Sequence, residues 1–137
     1  MATMDEITLL RPPGLVASPA FSHVAVVPPG ATTILVGGQN AVDAEGALVG
    51  GDDVAAQVTR VMENLVVALE AADVGLADVV SMTILFLDGV DLDAAYGAAM
   101  PFLGSLTEPP LVTGARVAGL GVPGALVEVS AVAAVVR

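Results

Sequence analysis

The chain reads as an α+β domain in the order β-β-β-α-β-α-β-β, a sheet with two helices on one face. Three observations predict this. Two stretches carry apolar residues at helical spacing behind an Asp, near residues 53–72 and 91–103. The other apolar stretches are short, β-branched and bounded by Gly or Pro, as strands are. The 137 residues suit a single domain spanning 1–137, without repeat, linker or low-complexity tail.

Taken in order, Pro12, Pro13, Gly14, Pro19, Pro28, Pro29 and Gly30 break the first thirty residues into turns, leaving room for strands near Ile7 to Leu10 and Ser22 to Val27. Thr32 to Val36 is β-branched and runs into Gly37-Gly38, where backbone can approach a ligand closely. Asp52 or Asp53 caps a helix whose Val54, Val58, Val61, Met62, Leu65, Leu69 and Ala72 recur on one face, with Gln57, Arg60, Glu63, Asn64 and Glu70 mostly opposite and Gly75 as its stop. Val79 to Leu87 is apolar at nearly every position, which suits a strand covered on both faces. Asp91 caps a second helix, Leu92 to Leu103, ended near Gly104, and strands follow near Leu111 to Val117 and Ala125 to Val136. Two helices cover one sheet face. The other needs cover that nothing left in the chain provides, and another subunit is the simplest source.

Composition removes whole classes of function. Fifteen acidic residues against Arg11, Arg60, Arg116 and Arg137, with no Lys, leave a net charge of −11, so no groove that tracks phosphates and no nucleic-acid partner is expected. Without Cys and with one His, neither a thiolate nucleophile nor a Cys- or His-rich metal site can form, and no metal or cofactor is expected. The chain is 55% apolar but only 3% aromatic, with a mean hydropathy of +0.86. No run approaches the roughly 20 apolar residues of a membrane span, so the expectation is a soluble cytoplasmic protein with no membrane partner.

Glu128 is the most informative single residue. It lies in ALVEVSAVAAVV on one strand parity with Leu126, Ser130, Val132 and Ala134, so its carboxylate points into a mostly apolar face and would be desolvated unless a cation or donors hold it. An edge Glu reaching solvent or a subunit partner fits the same pattern. Gly37-Gly38-Gln39-Asn40 ends a strand in backbone N–H groups and two amides, which can hold a carboxylate or carbonyl and can equally be a hairpin turn. His23 beside Phe21 reads as structural, Tyr96 as a packed ring with its hydroxyl at a rim, and Asp88, Asp91 and Asp93 as turn and cap residues, since a calcium loop needs a spacing and a terminal Glu that are missing.

Together these pieces resemble the Rid family, also called YjgF, of small proteins whose founding members deaminate reactive enamines and imines. The resemblance runs from about Ser18 to Ala134. SPAFSHVAVV matches the family's aromatic followed by Ser and then Gln or His. ILVGGQNAVDAEGALVGGD matches its strand ending in Ser-Gly-Gln and the turn with Asp and Gly. VAAQVTRVMENLVVALEAADVGLADVVSMTILFLDGVDLDAAY follows its helix, strand and second-helix start, and ALVEVSAVAAV its final strand.

The resemblance implies a chorismate-mutase-like fold and a homotrimer with three pockets between subunits. In deaminating members an Arg binds the substrate carboxylate, while a backbone corner and a Glu with bound water act near the imine carbon. Here Phe21 replaces the usual pocket Tyr, Gly37, Gly38 and Gln39, followed by Asn40, match the corner, Tyr96 stands where an Asn is common, and Glu128 matches the Glu. The family's Pro-Ala-Arg-Ser reads Pro110-Leu111-Val112-Thr113, so Val112 occupies the Arg position, with Thr113 beside it. Arg116 lies roughly 13 Å further along the strand and is no substitute, which leaves Arg11 or a residue of a neighbouring subunit. The implied activity is a hydrolase or deaminase with Glu128 as its catalytic residue. It acts on small imine, enamine or carbonyl compounds in a pocket between subunits rather than on the amino-acid-derived enamines that need the Arg. The alternative is a trimer that binds a small ligand or a partner without catalysis.

Overall fold

A computed structural model describes residues 5–137 and follows the expected element order. The strands are β1 (Thr8–Leu10), β2 (Val24–Val26), β3 (Thr32–Gln39), β4 (Val79–Leu87), β5 (Leu111–Val117) and β6 (Val127–Val135), and the helices are α1 (Val54–Glu70) and α2 (Leu92–Leu103). They do not form one sheet. β1 and β2 pair as a separate ribbon, while the main sheet has the order β3-β6-β4-β5, antiparallel except for the parallel pair β4·β5. Among the described residues no helix is long and apolar enough to cross a membrane.

Strand alternation sorts the sheet into two faces. Ile34, Val36, Met82, Ile84, Phe86, Val127, Val129, Ala131 and Ala133 point to the helices and join Val58, Val61, Met62, Leu65 and Leu69 of α1 in the core. The opposite parity carries Leu35, Ser81, Thr83, Leu85, Glu128, Ser130, Val132, Thr113 and Ala115, whose pairings keep them on one surface. That surface is open. Leu35 is 76% exposed on it. The both-face cover expected for β4 is therefore present on one side only.

Of the two candidate caps it is Asp53 that caps α1, accepting from Ala56 N at 3.2 Å; the other end of the helix differs from expectation. The chain leaves α1 through Asp73 in the left-handed region, a conformation Asp tolerates, so Gly75 does not stop the helix but opens the one-turn helix Leu76–Asp78. Gln57 and Asn64 do not lie on a solvated side. Gln57 is fully buried, because residues 49–53 and 122–126 fold over that side of α1 and bring it backbone partners.

Of the twelve residues of α2 only Ala95 is fully buried, although the helix is almost wholly apolar. The space between α2 and strands β4 and β5 is incompletely filled, and that space is one half of the candidate site.

Candidate functional site

The first half is built on the open face where β3 and β6 meet. Val36 pairs with Ala131 and Gln39 with Val129, so two residues, Gly37 and Gly38, stand opposite one, and β3 bulges. The bulge brings Gly38 against Glu128: a Cβ on Gly38 would meet Glu128 Cδ and Oε2 at 2.7 Å. Only the absence of a side chain lets that half-buried carboxyl lie there. Gly37 has nothing within 4 Å of its own Cβ position. Beside Glu128 the face carries Leu85, and one residue pair further along it carries the hydroxyls of Thr113, Thr83 and Ser130 in register.

Three amide side chains hold this corner from behind. Gln57 Nε2 donates to Gly51 O at 2.6 Å and Gly124 O at 3.0 Å, and its Oε1 accepts from Leu126 N at 2.8 Å. Asn40 Nδ2 donates to Val127 O at 3.2 Å, while Asn64 Nδ2 donates to Asn40 O and Val42 O at 3.0 and 2.9 Å. The start of β6, and with it Glu128, is thus tied to α1 and to the end of β3. Asn40 was expected beside the ligand. Its amide is turned into the fold and buried there, because Val127 O needs a donor. Gln39 Nε2 donates to Gly37 O at 3.2 Å and braces the bulge.

The second half is a cavity of about 500 Å³ between α2 and the helix-facing side of β4 and β5. Leu92, Ala95, Tyr96, Ala99, Met100 and Leu103 roof it, at spacings of three and four along α2. Phe21 and Val112 line it too, and its floor includes Ile84, Gly114 and Val129. Tyr96, 56% exposed, and Asp93 bring the polar groups; the remaining lining is Ala, Val, Leu, Ile, Met, Phe, Pro and Gly. Phe21, Tyr96 and Val112 thus line one cavity. The spacing of the roofing residues of α2 is visible in the sequence, but not that the helix lies over an unfilled space.

No Arg lines the cavity. Arg11 Nη1 donates to Ser18 O at 3.2 Å, Arg60 Nε to Asn64 Oδ1 at 3.1 Å, and Arg137 Nη2 to Ala72 O. Arg116 pairs in register with Phe86, which lines the cavity, but is not itself in the lining. His23 is structural, as read: its Nε2 donates to Val16 O at 2.8 Å and its ring stands edge-on to Phe21 with centroids 5.4 Å apart.

The two halves face apart. Val112 pairs with Met82 on the helix side, whereas Glu128 pairs with Leu85 on the open side. Phe21, Tyr96 and Val112 are separated from Gly38, Glu128 and Thr113 by the thickness of the sheet.

Fold and geometry together define the class: an α+β protein whose four-stranded sheet is backed by two helices on one face and bare on the other. The chain belongs to the family described as Endoribonuclease L-PSP, the Rid/YjgF/UK114 group, whose model matches residues 14–135. The YyfB protein of Yersinia pestis, a Rid-family protein described as of unknown function, is 27% identical over 94% of this chain and 98% of its own, with a TM-score of 0.77. Rv2704 of Mycobacterium tuberculosis, of the YjgF/YER057c/UK114 family, is 26% identical over 95% and 100%, with a TM-score of 0.63. The YjgF gene product of E. coli is 26% identical over 74% and 79%, with a TM-score of 0.65. No curated protein matches the chain.

Proposed function

We propose that this chain forms a closed homotrimer in which the cavity of one copy meets the open face of the next, and that the three shared pockets hydrolyse small imine, enamine or carbonyl compounds. The observation that carries this reading is the opposite placement of the half-sites. A face that meets a different face makes a heterologous contact, which closes into a ring when the rotation permits. The exposed Leu35, with Val132 opposite it and Leu85 further along the same face, supplies the surface to be buried.

In that pocket the ligand's body lies under α2 and its reacting carbon is presented to Glu128 of the neighbouring copy. Glu128 accepts a proton from water as the water oxygen adds to the imine carbon, then returns it to the leaving nitrogen, as a positioned general acid–base does. The room left by Gly38 is what admits that carboxyl at this point of the face. The ribonuclease activity in the family's description is not part of the proposal, because a net charge of −11 and four Arg provide no groove for a polyanion.

The test is incubation with freshly generated imines, both aminoacrylate-type and uncharged, with ammonia and carbonyl release followed against buffer. Release above the buffer rate, lost in Glu128→Gln, is the expected result. Turnover equal to buffer with every imine overturns hydrolysis, and a retained ligand affinity then favours a trimer that binds without catalysis, a reading to which the lack of a cation at Val112 lends weight.

A further inference from the structure

We infer that the pocket selects an uncharged compound whose substituent is a hydrocarbon, either a single aryl ring or a branched aliphatic group; this rests on the shared-pocket reading above. The size is right, since about 500 Å³ falls in the range that houses small-molecule ligands. The room is built in: Ala95, Ala99 and Gly114 present little or no side chain to it, and a Cβ on Gly114 would meet nothing nearer than Ile84 O at 4.0 Å.

The chemistry of the wall is equally one-sided. A carboxylate entering beside Val112 finds neither Arg nor Lys in the wall, because the chain has no Lys and none of its four Arg lines the cavity. An unpaired anion in an apolar wall is strongly disfavoured. The one charged residue of the lining is Asp93, and the net charge of −11 adds a field that repels anions and admits neutral or cationic compounds.

The hydrolysable member of this class is R₂C=NH with R apolar. Water adds its oxygen to the carbon, the C–N bond breaks, both water protons pass to nitrogen, and R₂C=O and NH₃ leave, with no change of oxidation state. The reaction that supplies such an imine is the two-electron oxidation of a monoamine that carries no carboxylate.

Phenylacetone and phenylpyruvate share a benzyl ketone skeleton and differ by methyl against carboxylate. Titration calorimetry on the full-length protein is expected to give at least about ten-fold tighter binding of phenylacetone. Val112→Arg is expected to reverse the preference by pairing the carboxylate, and Gly114→Leu to remove phenylacetone binding by filling the floor. Equal binding of the two ketones, tighter binding of phenylpyruvate, or binding of neither overturns the inference. Selective phenylacetone binding without turnover of its imine upholds the selectivity and overturns hydrolysis. Turnover of charged imines without phenylacetone binding does the reverse.

Discussion

Gly38 and Glu128 are fitted to one another across neighbouring strands: the carboxyl of Glu128 occupies the space in which any other residue at position 38 would carry its Cβ, 2.7 Å from both Cδ and Oε2. Sequence separation hides this contact, and the bulge of β3 produces it. A glycine that ends a strand is usually explained by a turn. This one is explained by the side chain it admits.

Gly38→Ala therefore forces the carboxyl aside. The expected cost is about 1–2 kcal/mol in urea-induced unfolding, the scale of local overpacking. Any turnover that depends on Glu128 should fall with it. Gly37→Ala is the control, because its Cβ meets nothing within 4 Å, and its stability should stay within about 0.5 kcal/mol of wild type. Equal behaviour of the two variants would show that the fit does not constrain the carboxyl.

Gln57→Leu tests the support behind the site. It leaves Gly51 O, Gly124 O and Leu126 N without their side-chain partner in a fully buried position, and is expected to cost at least about 2 kcal/mol. The disturbance should reach Glu128, two residues beyond Leu126, and amide chemical shifts along β6 will read it. A variant as stable as wild type, with unshifted β6 resonances, would remove Gln57 from that role.

Sedimentation equilibrium checks the ring. The expected mass is three times the 13.5 kDa of one chain. Leu35→Glu, which sets a charge on the bare face without touching the core, should shift the protein toward single chains. A 13.5 kDa species in the unaltered protein sinks the shared pocket.

Core packing gives the calibration. Leu65 is fully buried on α1 and Val67 is 66% exposed on the same helix. Leu65→Ala should lose about 2–5 kcal/mol and Val67→Ala less than about 0.5 kcal/mol. Similar losses at both sites would mean that the outer side of α1 is also covered.

Much of the fold is legible in the residues because local chemistry decides it. Asp91 caps α2 by accepting from Ala94 N, and the apolar spacing of α1 marks the face it buries. What is not legible depends on contacts far apart in sequence. Gln57 looks like a solvated helix residue until the loop at Gly124 folds over it, 67 positions away. Asn40 looks like a ligand contact until Val127, 87 positions away, supplies the carbonyl it must satisfy. The sorting of the candidate residues onto two faces is not legible either: it follows from the parity of β5 and β6 and from the register of each against β4, where Val112 meets Met82 and Glu128 meets Leu85.

The division of the pocket between two faces also has a genetic consequence. In the proposed ring each site takes its cavity from one copy and its carboxylate from the next, so a chain with a plugged cavity and a chain lacking Glu128 are each inactive alone but damaged in different halves. Unfolded together and reassembled in equal amounts, they would rebuild intact sites at about a quarter of all positions. Two loss-of-function alleles of one small gene would then complement each other in the same cell.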